Sequence, residues 1–160
     1  MEISIQLAQQ NGKDYVKYNG PINEEAEVHL TRLIETLGNN VVFNFRNVEY
    51  VNSCGVRAWI NFMRELEKGR SVTFEECTPE IVMQMNMIPS FKSSASVFSV
   101  YASYHCDNCD NRQFEIFVNG KNLPVSEDAQ LPPINCKKCG TKNIEMEELE
   151  DEFFAFARAS

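Results

Sequence analysis

What this sequence lacks narrows it quickly. Nowhere in its 160 residues does an apolar run approach the roughly 20 residues that cross a bilayer. The opening stretch, MEISIQLAQQNGKDY, has neither the basic start nor the continuous apolar core of a signal peptide. A cytoplasmic setting without membrane insertion is therefore expected. Basic charge is scarce, since 15 Lys and Arg stand against 23 Asp and Glu for a net charge of −8. Contact with phosphate backbones or anionic lipid depends on that missing charge, so a protein partner is expected and nucleic acid is not. With only two histidines there are few candidate general bases. Neither a Ser-His-Asp set nor a phosphate-binding glycine loop is present, so no enzyme is expected.

What is present suits a globular chain with a real core, because 43% of the residues are hydrophobic. ISIQLA and DYVKYNG alternate apolar and polar residues around a QNGK turn, which predicts a hairpin. A helix follows, with Ala26, Leu30, Leu33, Ile34 and Leu37 on one face and a stop at Gly38. Residues 41 to 45 form the most apolar strand, and Val56, Trp59, Ile60, Met63 and Leu66 recur at helical spacing after it. SVTFEEC predicts another strand, and Thr78 with Pro79 opens a shorter helix that ends before Pro89. ASVFSVY closes the series as a strand. The later alternation of strand and helix implies parallel pairing, hence an α/β fold with helices packed on a mixed sheet. The end of the chain, MEELEDEFFAFARAS, predicts a helix with an acidic first turn. Its Phe153, Phe154 and Phe156 form an aromatic stripe that is expected to pack inside rather than stay exposed.

Four of the six cysteines fall in the last third as CDNC (Cys106, Cys109) and CKKC (Cys136, Cys139). Their clustering places a domain boundary near Ala102 and Ser103, giving units 1–102 and 103–160. Two C-x-x-C pairs, each on a tight turn, supply the four thiolates that close a tetrahedron around one zinc ion. Redox-active pairs or two disulfides are the competing uses, and a reducing compartment favours neither. With cysteine in all four positions no site is left for a catalytic water, so a structural zinc is expected. The segment is similar to the zinc ribbon family, with these four residues in its ligand positions. Zinc ribbons can touch nucleic acid, but Glu145, Glu147, Glu148, Glu150, Asp151 and Glu152 would repel phosphate here.

YVNSCG, Tyr50 to Gly55, sits between the apolar strand and the helix that follows. Read locally, Asn52 or Ser53 caps that helix and Gly55 permits close packing. The element order together with NVVFNFRNVEYVNSCGVRAWINFMREL resembles the STAS domain, specifically the bacterial anti-sigma factor antagonists, over residues 1 to 101. In that family a buried strand leads to Asp-Ser-Ser-Gly or Asp-Ser-Thr-Gly, and the matching residues here are Asn52, Ser53, Cys54 and Gly55. The resemblance implies a non-enzymatic switch, in which a kinase phosphorylates Ser53 and thereby controls docking to that kinase or to an anti-sigma factor. Asn52, Ser53, Cys54, Gly55 and Arg57 are the expected partner-binding residues. Asn52 in place of Asp removes the carboxylate beside the acceptor, and Cys54 replaces a hydroxyl. Two further expectations stand beside this one. The chain could serve as a STAS accessory subunit that binds the ATPase of an ABC-type lipid transporter, or its ribbon could be a nucleic-acid or transcription-machinery module.

Overall fold

The computed structural model describes residues 2–158. The first two alternating segments form β1 (Ser4–Gln10) and β2 (Lys13–Asn19), joined by a turn in which Asn11 and Gly12 have φ of 52° and 76°. Two left-handed residues in succession give the turn whose twist suits a hairpin, and Asn-Gly reaches that conformation at little steric cost. The main sheet continues through β3 (Asn40–Asn47), β4 (Ser71–Glu75) and β5 (Ser96–Val97), in the order β1-β2-β3-β4-β5. Only β1 and β2 are antiparallel; every later pair is parallel. Parallel neighbours need crossovers. Helices α1 (Ala26–Ile34), α2 (Ser53–Leu66) and α3 (Pro79–Met87) supply them, and a single turn, α4 (Pro89–Lys92), follows α3. This is the mixed-sheet α/β fold that the residue pattern predicts.

The core is aromatic at its centre. Trp59 of α2 lies among Phe43, Phe45, Phe62, Phe74 and Phe91, with ring centroids from 5.0 Å (Phe45–Phe74) to 6.5 Å (Phe43–Phe74) apart. Its indole N–H donates to the Phe91 carbonyl at 3.0 Å, so burying this large side chain leaves no polar group unpaired. Thr78 starts α3 as expected. Its hydroxyl accepts from the Ile81 N–H at 3.4 Å and donates to the Val48 carbonyl at 2.6 Å, tying the helix start to the end of β3. Among the described residues no helix is long and apolar enough to cross a membrane.

Two elements differ from their sequence expectation. ASVFSVY divides at Phe98: β5 pairs with β4, whereas β6 (Ser99–His105) joins a second, antiparallel sheet with β7 (Arg112–Val118) and β8 (Glu145–Met146), in the order β7-β6-β8. From Ser99 onward a seven-pair antiparallel register with β7 organises the strand, whereas β4 ends at Glu75 and the first sheet's pairing carries on only as the isolated Cys77–Val100 bridge. The C-terminal helix is likewise split into α5 (Glu150–Phe153) and α6 (Ala155–Arg158). Here Asn86 of α3 is the cause. Its amide donates to the Glu152 and Phe153 carbonyls at 3.0 and 2.9 Å and accepts from the Phe156 N–H at 2.8 Å, replacing bonds that a continuous helix would make. Phe153, Phe154 and Phe156 are all buried, as expected of the stripe, with Phe154 edge-on to Phe117 of β7 at 5.1 Å.

Glu76 ties the two sheets together just past β4. Its carboxylate accepts from the Asn44 amide of β3 at 2.5 Å and from the Tyr101 hydroxyl of β6 at 2.6 Å, with Arg46 at 3.8 Å. Burial opposes its ionisation, but these donors and the charges of Arg46 and Lys17 outweigh it and hold the carboxyl below its ordinary value of 4.5. A carboxyl lowered in the folded state adds stability above its unfolded pKa and loses it as pH falls through the folded one. Urea unfolding across the acid range should therefore show stability falling below about pH 4.5, with a shallower fall in Glu76→Gln. An unchanged slope would mean that this carboxylate carries none of the dependence.

Candidate functional site: the serine turn and the four-cysteine centre

The connector from β3 to α2 is pinned before the helix begins. Val51 forms a parallel bridge with Ile22, the Ile22 N–H donates to the Tyr50 carbonyl at 2.9 Å, and the Asn52 N–H donates back to the Ile22 carbonyl at 3.1 Å. Asn52 has extended backbone (φ −114°, ψ 175°), and its side-chain oxygen accepts from the Gly55 N–H at 2.9 Å. Asn52, not Ser53, is thus the cap. Its amide nitrogen donates to the Glu24 carboxylate at 3.0 Å, and that bond lowers the Glu24 carboxyl below its usual range. Ser53, Cys54 and Arg57 are exposed, and Arg57 lies one turn along the helix from Ser53.

Gly55 is buried where the helix meets the Ile22 backbone. A Cβ built on it would lie 1.9 Å from the Ile22 carbonyl oxygen and 2.7 Å from the Asn23 nitrogen. Such contacts are with backbone and cannot be relieved by turning a side chain.

The cysteines come together at the far end of β6. The two knuckles repeat one another in detail. In the first, the Cys106 N–H donates to the Asn111 carbonyl at 2.9 Å and the Asp110 N–H to the Cys106 carbonyl at 2.8 Å. In the second, the Cys136 N–H donates to the Thr141 carbonyl at 2.8 Å and the Gly140 N–H to the Cys136 carbonyl at 3.0 Å. Asp110 and Gly140, equivalent in the two turns, both have positive φ, 64° and 80°. The sulfurs of Cys106 and Cys139 are 3.6 Å apart, as are those of Cys109 and Cys136, and all four lie within 4.8 Å of one another. A tetrahedral ion with metal–sulfur distances near 2.3 Å requires sulfur separations of about 3.8 Å, whereas a disulfide requires about 2.05 Å. These four residues therefore fit one tetrahedral metal ion.

Hydrogen bonds around the sulfurs point the same way. The Lys138 and Cys139 N–H groups donate to Cys136 Sγ at 3.4 and 3.5 Å, the Asn108 amide reaches Cys139 Sγ at 3.6 Å, and the Thr141 hydroxyl lies 3.0 Å from it. The Thr141 hydroxyl and Asn108 amide pull the Cys139 thiol down to about 5, while desolvation pushes Cys109 up to about 12. Four thiols at this spacing cannot all ionise unaided. A dication among them would remove the repulsion and favour four thiolates.

A family model described as the STAS domain matches residues 8–104. The chain belongs to the STAS domain family. Among solved structures, the STAS region is similar to an anti-sigma factor antagonist from Mycobacterium paratuberculosis, at 14% identity and a TM-score of 0.50, over 60% of this chain and 85% of that one. It is also similar to the anti-sigma factor antagonist SpoIIAA in its unphosphorylated form, at 19% identity and a TM-score of 0.42, over 55% of this chain and 83% of that one. At 14% identity the first likeness speaks for the fold. No curated protein matches the sequence. All four metal-fitting cysteines lie beyond the matched STAS segment, Cys106 by two positions.

The structure thus gathers the sequence-predicted residues at two separate places. Asn52, Ser53, Cys54, Gly55 and Arg57 lie at the start of α2, and Cys106, Cys109, Cys136 and Cys139 converge beyond the end of β6. Sequence reasoning missed Glu24, Asn108 and Thr141. Glu24 is 28 residues from Asn52, and nothing local marks it as a partner. Asn108 and Thr141 lie within the knuckles, where a donor beside each thiolate is a usable signal. The turn geometry gives a direct stability test. Asn52→Ala should cost about 1 kcal/mol for the lost cap, and Gly55→Ala more, at the upper end of the roughly 1–3 kcal/mol of overpacking or beyond. Equal urea midpoints for wild type and Gly55→Ala would refute the close approach.

Proposed function

We propose that this STAS protein is a non-enzymatic regulator that docks another protein, a serine kinase or anti-sigma factor, through the surface around Ser53. Phosphorylation of Ser53 switches that docking. One observation carries the reading: Asn52 supplies the cap of α2, so the exposed Ser53 hydroxyl is free and can be modified without removing it. A phosphate there meets the positive end of the helix dipole and has Arg57 one turn along as a counter-charge. It also adds up to two negative charges close to Glu24, which repels a partner that had packed against a neutral face. The similarity to anti-sigma factor antagonists supports the same class of partner.

On this reading the chain divides in function near Ala102 and Ser103, within β6. The 1–102 unit carries the switch, and the 103–160 unit holds one structural zinc on Cys106, Cys109, Cys136 and Cys139. The ion supplies folding free energy to a segment whose own core is small, and four cysteine ligands leave no position for catalysis. Asn52 and Cys54 favour a second reading, in which the same surface binds a transporter ATPase without phosphorylation, because the carboxylate beside the acceptor is gone.

Incubation with ATP and the kinase that copurifies should add the mass of one phosphate, lost in Ser53→Ala, and Ser53→Asp should weaken capture of the partner. An unchanged mass, or phosphate on another residue, would sink the switch; recovery of a transporter ATPase would favour the second reading. Purification without chelator should yield about one zinc per chain. Substoichiometric metal together with oxidised cysteines would refute the structural site.

A further inference from the structure

Outside both sites, α3 and the second sheet enclose a groove of about 640 Å³. One wall is the outer stripe of α3, where Met83 and Met87 are 43% and 62% exposed; the other is β7, where Phe114 is 46% exposed. Large apolar side chains left to water on facing walls are unusual for a surface that nothing covers. Methionine is also the side chain best able to repack around different shapes.

The rim is of one sign. Glu49, Glu80, Glu148 and Glu152 line it, and among the described residues none of these carboxylates forms an ion pair. The one cation in the lining, Arg112, is already committed. Its guanidinium bonds to Glu147 at 2.5 Å and lies over the Phe114 ring, 5.1 Å from the centroid. An apolar floor with uncompensated carboxylates around it is complementary to a segment that carries apolar residues on one face and Lys or Arg beside them. Nucleic acid or an anionic membrane would be repelled, and a second copy of this chain brings its own net charge of −8.

We propose that this groove docks a cationic amphipathic helix from a partner protein. Its apolar residues enter between Met83, Met87 and Phe114, and its basic residues meet Glu49 and Glu80 at one end and Glu148 and Glu152 at the other. The groove is built from both units, because α3 belongs to the STAS region and β7 to the cysteine-bearing one. None of Asn52, Ser53, Cys54, Gly55 and Arg57 lines it, so binding there does not require the state of Ser53 to change.

The test uses the full-length, zinc-loaded protein and labelled peptides of about 14 residues, read by fluorescence anisotropy. A Leu/Lys peptide patterned for one helical face should bind, and its affinity should fall as salt rises. The same pattern with Glu for Lys, and a Leu/Lys peptide of scrambled pattern, should not. The paired changes Glu49→Lys with Glu148→Lys, both at exposed positions, should weaken binding about tenfold or more. Met83→Ser with Met87→Ser should do the same at unchanged zinc content and circular dichroism. Glu25→Lys with Glu35→Lys, at the two ends of α1, should change it less than about twofold, and Ser53→Asp should leave it unaltered. Absence of binding, equal binding of the Glu or scrambled peptide, or equal loss in the α1 pair would overturn the proposal. If the methionine pair disturbs the fold, the charge pair alone decides.

Discussion

The arrangement of the STAS region depends on one close approach, that of the first turn of α2 to the backbone at Ile22. No side chain larger than hydrogen fits at Gly55, and the same contact is locked by reciprocal hydrogen bonds between Ile22, Tyr50 and Asn52. With the helix start fixed there, the buried face of Val56, Trp59, Phe62, Met63 and Leu66 lays the rest of α2 across the sheet. Trp59, one turn further on, is carried into the aromatic centre beside Phe43 and Phe45, and Ser53 is left at the rim. Packing and function share this contact. A cap made by Asn52 and an approach made by Gly55 leave Ser53, beside Cys54 between them, with an exposed hydroxyl that the cap does not use.

The second dependency is β6. It starts beside the end of β4, where Cys77 bridges Val100, and ends at His105, next to Cys106, the first sulfur of the metal-fitting set. One strand therefore belongs to the joint between the sheets and to the cysteine centre at once. Glu76 and Asn86 reinforce that joint from opposite sides, the first by bonding Tyr101 and the second by capturing the backbone of residues 152 to 156. The groove between α3 and β7 follows from this joint, since neither wall is a groove without the other.

How much could be read in advance varied with the range of the interaction. Asn11-Gly12, Thr78-Pro79 and the spacing of Val56, Trp59, Met63 and Leu66 act within a few residues, and each element appears where it was expected. The cysteine spacing belongs to the same class, because each C-x-x-C turn is a local structure that needs only its partner. Phe98 and Phe154 were misread as interior to one strand and one helix. In both cases the local pattern was sound, but the backbone found other partners: β7, the next strand in the chain, for the residues after Phe98, and Asn86, some 70 residues earlier, for the turn at Phe154. Glu24 as a partner of Asn52 was illegible for the same reason.

The class of fold, the STAS resemblance, the four cysteines and the serine at the start of a helix are legible in the amino-acid order alone, because periodicity, caps and paired thiols are statements about neighbours. It took the folded chain to show that Asn52 holds the cap and Ser53 does not, that the sulfurs stand at tetrahedral spacing, and that methionines of α3 and Phe114 line one acidic groove. The sulfur spacing and the groove are set between groups tens of residues apart, held by burial of a common core, and the cap, though local, depends on Ile22 pinning the Asn52 backbone from 30 residues away.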